Sequence, residues 1–350
     1  MKVEDILNDL VSFNTVDDLE NKKIMDYIEN YLSRLGFKTE YRSKCLVMSI
    51  GNPVLSFIGH TDVVSVSDKW SYDPFKLTID KDKLIGRGVS DMKGGIAAFL
   101  YTLSQINLKK LNKGIRVCFT YDEEKGFLGI KELIDNNIDF CKYTIVGEPT
   151  DNNPCIGSKG LLEYELIFKG RGVQSSRPIE DERSNEKAIL FLNDVLKLEK
   201  RFKKERCDLF EFPFNTINVG VINGGTDINT TSSYTKVLLG FRITNNKNDI
   251  TYIKKYIERL IKKYGKVEYK ILNDINPFYL EDSIIEFYEK LTSKKRMPFF
   301  GVSEASFIDN YRLILGPGPV TAHEDNEYIL KSSINETIKI YKEIIERICK

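Results

Sequence analysis

Up to about residue 160, short apolar runs alternate with amphipathic stretches, and no other feature restricts the possible folds as much. Residues 3–13 and 20–35 have helical periodicity; in the second, Ile24, Ile28, Leu32 and Leu35 share a face and Gly36 supplies a stop. Apolar strands are expected at Leu46–Ile50, Val54–Ile58, Ile115–Thr120 and Tyr143–Val146, with helices at 93–106 and near 127–136. This alternation predicts an α/β layer on a mostly parallel sheet. After Gly160 the pattern changes. Leu162–Phe168 alternates like a half-exposed strand, Glu186–Leu198 reads as a helix, and Thr216–Ile222 and Lys236–Ile243 read as strands. Helix Ile250–Lys263 and strand Val267–Leu272 complete a β-α-β-β-α-β order, the ferredoxin-like arrangement. The expectation is a discontinuous α/β domain, 1–160 and 274–350, carrying an inserted domain at 161–273. The second segment of the discontinuous domain should hold a helix, a strand at Arg312–Leu315 and a terminal helix from about 326.

Composition removes several classes of function. Lys and Arg number 52 against 51 Asp and Glu, a net charge of +1, which argues against a general nucleic-acid binder. No apolar run approaches the roughly 20 residues a membrane span needs. The N-terminus, with Glu4 and Asp5, does not read as a secretory signal, so the cytoplasm is the expected compartment. The six cysteines are widely scattered with no Cys-x-x-Cys pair, which argues against a disulfide framework or a zinc knuckle. The only two histidines, His60 and His323, lie 263 residues apart, excluding a His-Glu-x-x-His site. Gly88-Val89-Ser90-Asp91-Met92 and Gly301-Val302-Ser303-Glu304-Ala305 come nearest to a nucleophile elbow, and both lack its final glycine.

Polar clusters fall where the expected strands end. Val54–Ile58 runs into Gly59-His60-Thr61-Asp62, Ile115–Thr120 into Asp122-Glu123-Glu124, and Tyr143–Val146 into Gly147-Glu148-Pro149. Arg312–Leu315 leads toward His323, and Gly86–Gly95 adds Asp91 ahead of a helix. Ligands of open α/β sheets bind beyond the carboxyl ends of strands, so these groups should share one rim. Each has an ordinary alternative: a hydrogen-bonded histidine, a solvated Glu pair, a turn at Glu148-Pro149, a helix cap at Asp91. Their coincidence favours a site. Imidazole and carboxylate ligands together suit zinc or another divalent transition ion. Two histidines with three carboxylates exceed one open zinc site and fit two ions about 3.5–4 Å apart. Asp91, Glu124, Glu148 and a bridging hydroxide would neutralise two such ions, avoiding the cost of an unpaired buried charge.

The runs Gly59–Val64, Gly86–Gly95, Asp122-Glu123-Glu124, Gly147–Thr150 and Ala322-His323 resemble the dinuclear zinc aminoacylase and carboxypeptidase family. The likeness spans nearly the whole chain and is strongest to its deacetylase and desuccinylase branch. It implies that His60 and His323 each bind one metal, Asp91 bridges, and Glu124 and Glu148 complete the shells. Glu123 would be the general base and then acid, with Asp62 orienting His60. The implied cofactors are two divalent ions, zinc or alternatively cobalt. The implied substrate is a small N-acyl amino acid, with no nucleic-acid or membrane partner. A homodimer through the inserted domain, which also serves as a lid, is implied as well. Relatives carry a histidine in that domain to hold the oxyanion; here Gln174, in Gly172-Val173-Gln174-Ser175-Ser176, takes its place. Its amide donates but carries no charge. Asn229 and Arg242 match substrate contacts, Arg242 as the grip on a carboxylate, while Gly301 and Glu304 fall in a substrate-binding loop. Trp70 matches a structural turn. The favoured activity is deacetylation of N-acetylornithine, a step of arginine biosynthesis. The alternatives are a desuccinylase, a dipeptidase or carboxypeptidase, and an impaired acyl-amino-acid binder.

Overall fold

A computed structural model describes residues 2–244, 247–280 and 282–350, which form two compact units. The first comprises Met1–Ile156, Leu280–Phe299 and Ser303–Lys350. Its sheet includes, in spatial order, Lys38–Arg42, Leu46–Ile50, Gly114–Thr120, Pro53–His60, Tyr143–Val146, Tyr311–Ile314 and the strand that begins at Cys155. The four strands from Gly114–Thr120 to Tyr311–Ile314 are mutually parallel, and the flanking pairs are antiparallel. The fold is therefore α/β with a mostly parallel sheet, as the alternation predicts. Helix Lys93–Gln105 is buried at ten of its thirteen positions, so it serves as a core element rather than a surface helix. With helix Lys331–Cys349 it packs on strand Pro53–His60. Phe57 stacks on Phe99 at 4.0 Å between ring centroids, and Tyr341 meets both rings edge-on.

One expectation in this unit needs correction, and one strand has no counterpart among the expected elements. The terminal helix starts at Lys331, not near 326. Tyr328–Leu330 is instead a strand paired with Lys83–Ile85, which also pairs with Thr78–Asp80. An aromatic and a β-branched residue suit that ladder, whose partner lies some 240 positions earlier and is invisible to local periodicity. The second miss is Lys38–Arg42. This edge strand is polar and largely exposed, so it lacks the apolar alternation that reveals a half-buried strand.

The second unit comprises Gly157–Tyr279 with Phe300–Val302. Its sheet is antiparallel throughout, in the order Thr216–Gly224, Tyr234–Ile243, Gly160–Lys169, Val267–Ile275. Helices Ser184–Leu196 and Lys247–Tyr264 pack on one face. Alternation builds that core: Leu162, Tyr164, Leu166 and Phe168 from one strand meet Val237, Leu239, Phe241 and Ile243 from its neighbour.

Candidate metal centre

Register places the chemistry. Strand Pro53–His60 lies between Gly114–Thr120 and Tyr143–Val146, pairing His60 with Thr120 and Ile58 with Val146. Residues just past these ends, Glu123 and Glu148, therefore emerge beside His60. Helix Lys93–Gln105 brings the loop holding Asp91 against the same rim. That approach is close: a Cβ on Gly95 would lie 2.0 Å from the carbonyl oxygen of Gly147. Glycine at 95 is thus required by contact between backbones.

The resulting cluster is centred on Asp91. Its Oδ1 lies 3.0 Å from His60 Nε2, and its Oδ2 lies 3.4 Å from His323 Nε2. Glu148 Oε1 is 3.7 Å from His60 Nε2, while Glu124 Oε2 is 2.9 Å from His323 Nε2. One carboxylate thus lies between two imidazoles, and each imidazole has a second carboxylate of its own. His60, Glu123 and Glu148 offer atoms within 4.8 Å of one another, as do His60, Asp91 and Glu124. The far side of His60 is held as well: Nδ1 is 3.0 Å from the Asp62 carbonyl and 3.6 Å from Asp62 Oδ1. Asp62 Oδ2 accepts from the Glu124 backbone N–H at 3.2 Å, tying one imidazole to the loop bearing the acids.

The two histidines differ. His60 is wholly buried, whereas the His323 side chain is 54% exposed, on a backbone at φ +67°. Burial pushes the Glu123 and Glu148 carboxyls well above the usual range, and neighbouring acids add to the shift. Burial would raise Asp91 too, but hydrogen bonds with His323 and His60 hold it below its ordinary value. The same bonds, from Asp91 and Glu124, raise His323 to about 10. Burial opposes protonation of His60, yet Asp62 and Asp91 bring it well above normal.

Two more buried acids lie nearby: Glu304, which the resemblance puts in a substrate-binding loop, and Glu327, which no sequence motif marks. Glu304 is 1% exposed; Thr120 Oγ1 donates to its Oε1 at 2.6 Å, and burial raises its carboxyl. Glu327, also 1% exposed, takes backbone donors from the Asp91 loop. A cavity of about 220 Å³ opens beside Asp62 and Glu124, lined also by Asp17, Asp18, Asp122 and Lys125.

The four substrate-contact candidates lie in the second unit. Gln174 and Asn229 are exposed on facing segments: Gln174 bridges Thr230, and the Ser175 N–H donates to the Asn229 carbonyl at 2.8 Å. Arg242 is exposed on strand Tyr234–Ile243, and Gly301 lies in the short Phe300–Val302 piece.

The donor set fits divalent cations. Six carboxyl groups, those of Asp62, Asp91, Glu123, Glu124, Glu148 and Glu304, surround two imidazoles. Even with both imidazoles charged, four of the six carboxyl groups have no imidazolium to offset them. Buried carboxylates in such excess need cations or protons.

Peptidase family M20/M25/M40 matches residues 56–347. This chain belongs to that family. M20 membership makes it a hydrolase acting on amide bonds. The acetylornithine deacetylase of Buchnera aphidicola subsp. Acyrthosiphon pisum (strain Tuc7) is 32% identical, over 97% of this chain and 94% of that one. An M20 family metallo-carboxypeptidase from Sulfolobus solfataricus has the same fold, at TM-score 0.77 and 20% identity over 99% of both chains. A dinuclear metal-binding M20 peptidase from Bacillus subtilis superposes with TM-score 0.72 at 12% identity, over 99% of this chain and 97% of that one.

Proposed function

We propose that this M20 chain hydrolyses the amide bond of an N-acyl amino acid, with N-acetylornithine as its substrate, using two divalent metal ions. The carrying observation is Asp91, with one carboxylate oxygen toward each histidine. His60 and Glu148 would hold one ion, His323 and Glu124 the other, and Asp91 both. Zinc suits the mixed nitrogen and oxygen donors, and cobalt is the second choice. When bound, the ions supply Lewis acidity that polarises the acyl carbonyl and acidifies the attacking water.

The chain's own groups do the rest. Glu123 receives the proton of the attacking water on its carboxylate and then passes it to the nitrogen of the departing amine. Its buried setting, which favours the protonated form, suits a group that must hold a proton between those steps. Asp62 fixes the His60 ring through Nδ1 and ties it to the Glu124 backbone. Gln174 offers an amide donor to the oxyanion, and Arg242 and Asn229 bind the amino-acid part. In the cavity beside Glu124, Asp17 and Asp18 are paired with Lys125 and Lys44, which leaves Asp122 to meet an ammonium group such as ornithine carries. The name of the Buchnera relative supports the same substrate.

This reading includes a cytoplasmic homodimer. Among the described residues no helix is long and apolar enough to cross a membrane. Strand Thr216–Gly224 is an exposed edge on which Val221 and Ile222 face solvent, suited to pairing with a second copy. The test compares turnover of N-acetylornithine, N-succinyl-diaminopimelate and a dipeptide on one sample of measured metal content. Preference for N-acetylornithine is expected. Faster cleavage of either competitor, or no turnover with two ions bound, would reject the assignment.

A further inference from the structure

Glu327 takes no part in the chemistry described above, yet it is the most heavily engaged buried carboxylate near the site. Its Oε1 accepts from the backbone N–H groups of Ser90 at 2.7 Å and Asp91 at 3.0 Å. Its Oε2 accepts from the Gly88 N–H at 2.9 Å and from Arg87 Nη1 at 2.8 Å. Arg87 is fixed in turn: its guanidinium lies over the Trp70 ring, 5.0 Å from the centroid, and Nη2 donates to the Ser65 carbonyl at 3.3 Å. The Glu327 carbonyl accepts from the Gly86 N–H at 3.0 Å, so backbone and side chain both grip the same loop.

A loop of four residues with three amides converging on one carboxylate has little freedom left. Closing it around a cation costs less ordering than closing a free loop would. The same bonds set the direction in which Asp91 leaves the backbone, and hence the reach of both its oxygens.

We propose that Glu327 is a positioning residue that builds the shared-ligand loop in advance, so that the tightness of metal binding depends on it. The inference rests on the reading of Asp91 as the shared ligand. It also assigns Trp70 a purpose: its ring lies against the Arg87 guanidinium, so the turn between His60 and Asp91 helps to hold the loop that carries Asp91.

The test titrates the zinc-loaded full-length protein with a chelator and follows zinc release. Glu327→Gln leaves the side-chain shape but replaces one acceptor oxygen with a donor, which faces either Gly88 and Arg87 or Ser90 and Asp91. The variant should release at least one zinc at about 10–100-fold lower chelator concentration than the wild type, with an unchanged far-UV circular dichroism spectrum. A release curve equal to the wild type would overturn the proposal. Asp91→Asn separates the two readings. If it holds both zincs like the wild type, the shared-ligand assignment itself falls; if it loses zinc while Glu327→Gln does not, only the positioning role falls. Should Glu327→Gln not fold, hydrogen exchange on the wild type decides: the Gly88, Ser90 and Asp91 amides should be strongly protected. Exchange at open-loop rates would overturn the proposal.

Discussion

The two units handle polar side chains in opposite ways. Around the carboxyl ends of the parallel strands, His60, Glu123 and Glu148 are buried, and His60, Asp91 and Glu124 bond to residues of other loops. In the antiparallel unit, Gln174, Asn229 and Arg242 are exposed, on segments held by backbone pairing. The contrast separates two sets of groups. On the proposed roles, the acid–base group and the metal ligands are set in place by the fold, whereas Gln174, the proposed oxyanion donor, and the proposed substrate contacts Asn229 and Arg242 lie on an exposed surface.

The contrast breaks most readily at Glu123. Glu123→Gln should lower turnover about 10²–10⁴-fold, the usual contribution of a general base, while the protein keeps its full complement of metal. Loss of metal together with activity, seen by elemental analysis, would make Glu123 a ligand instead. On the exposed side, Gln174→Ala should lower kcat by about 10²–10³-fold without moving the thermal midpoint or the metal content. An unchanged kcat would remove Gln174 from the chemistry.

Smaller effects sharpen the picture. Arg242→Gln should raise KM about tenfold or more through loss of a charged hydrogen bond, yet alter stability by no more than about 0.5 kcal/mol, as expected for an exposed position. Equal damage to folding, measured by chemical denaturation, would give Arg242 a structural role. The last prediction concerns acidity. Without metal, His323 is protonated below about 10, so near neutrality an incoming ion must displace that proton. Apparent zinc affinity should therefore fall as pH falls, by up to about tenfold per pH unit for each proton displaced. Calorimetry in buffers of different ionisation enthalpy reads the proton count; a count of zero would contradict the arrangement.

How much of this was legible in the sequence depends on where each partner lies. His60, Glu123 and Glu148 could be placed because an apolar run followed at once by polar residues marks the exit of a buried strand. The core of the second unit was legible through the alternation of Leu162, Tyr164, Leu166 and Phe168. Tyr328–Leu330 was not, because its ladder partner is far away in the chain and only tertiary structure supplies it. Glu327 was hidden for a different reason. It bonds mainly to backbone amides, which every residue but proline possesses, so no residue pattern signals its role.

The unequal exposure of the two histidines carries a consequence for handling the enzyme. On the assigned ligand set, the seat beside His60 is sealed and the seat beside His323 borders solvent. The outer cation should then be the labile one, exchanging with whatever the surroundings offer while the inner one stays. A preparation made in a mixed-metal medium would become a hybrid, with its inner occupant fixed during folding and its outer occupant set by supply.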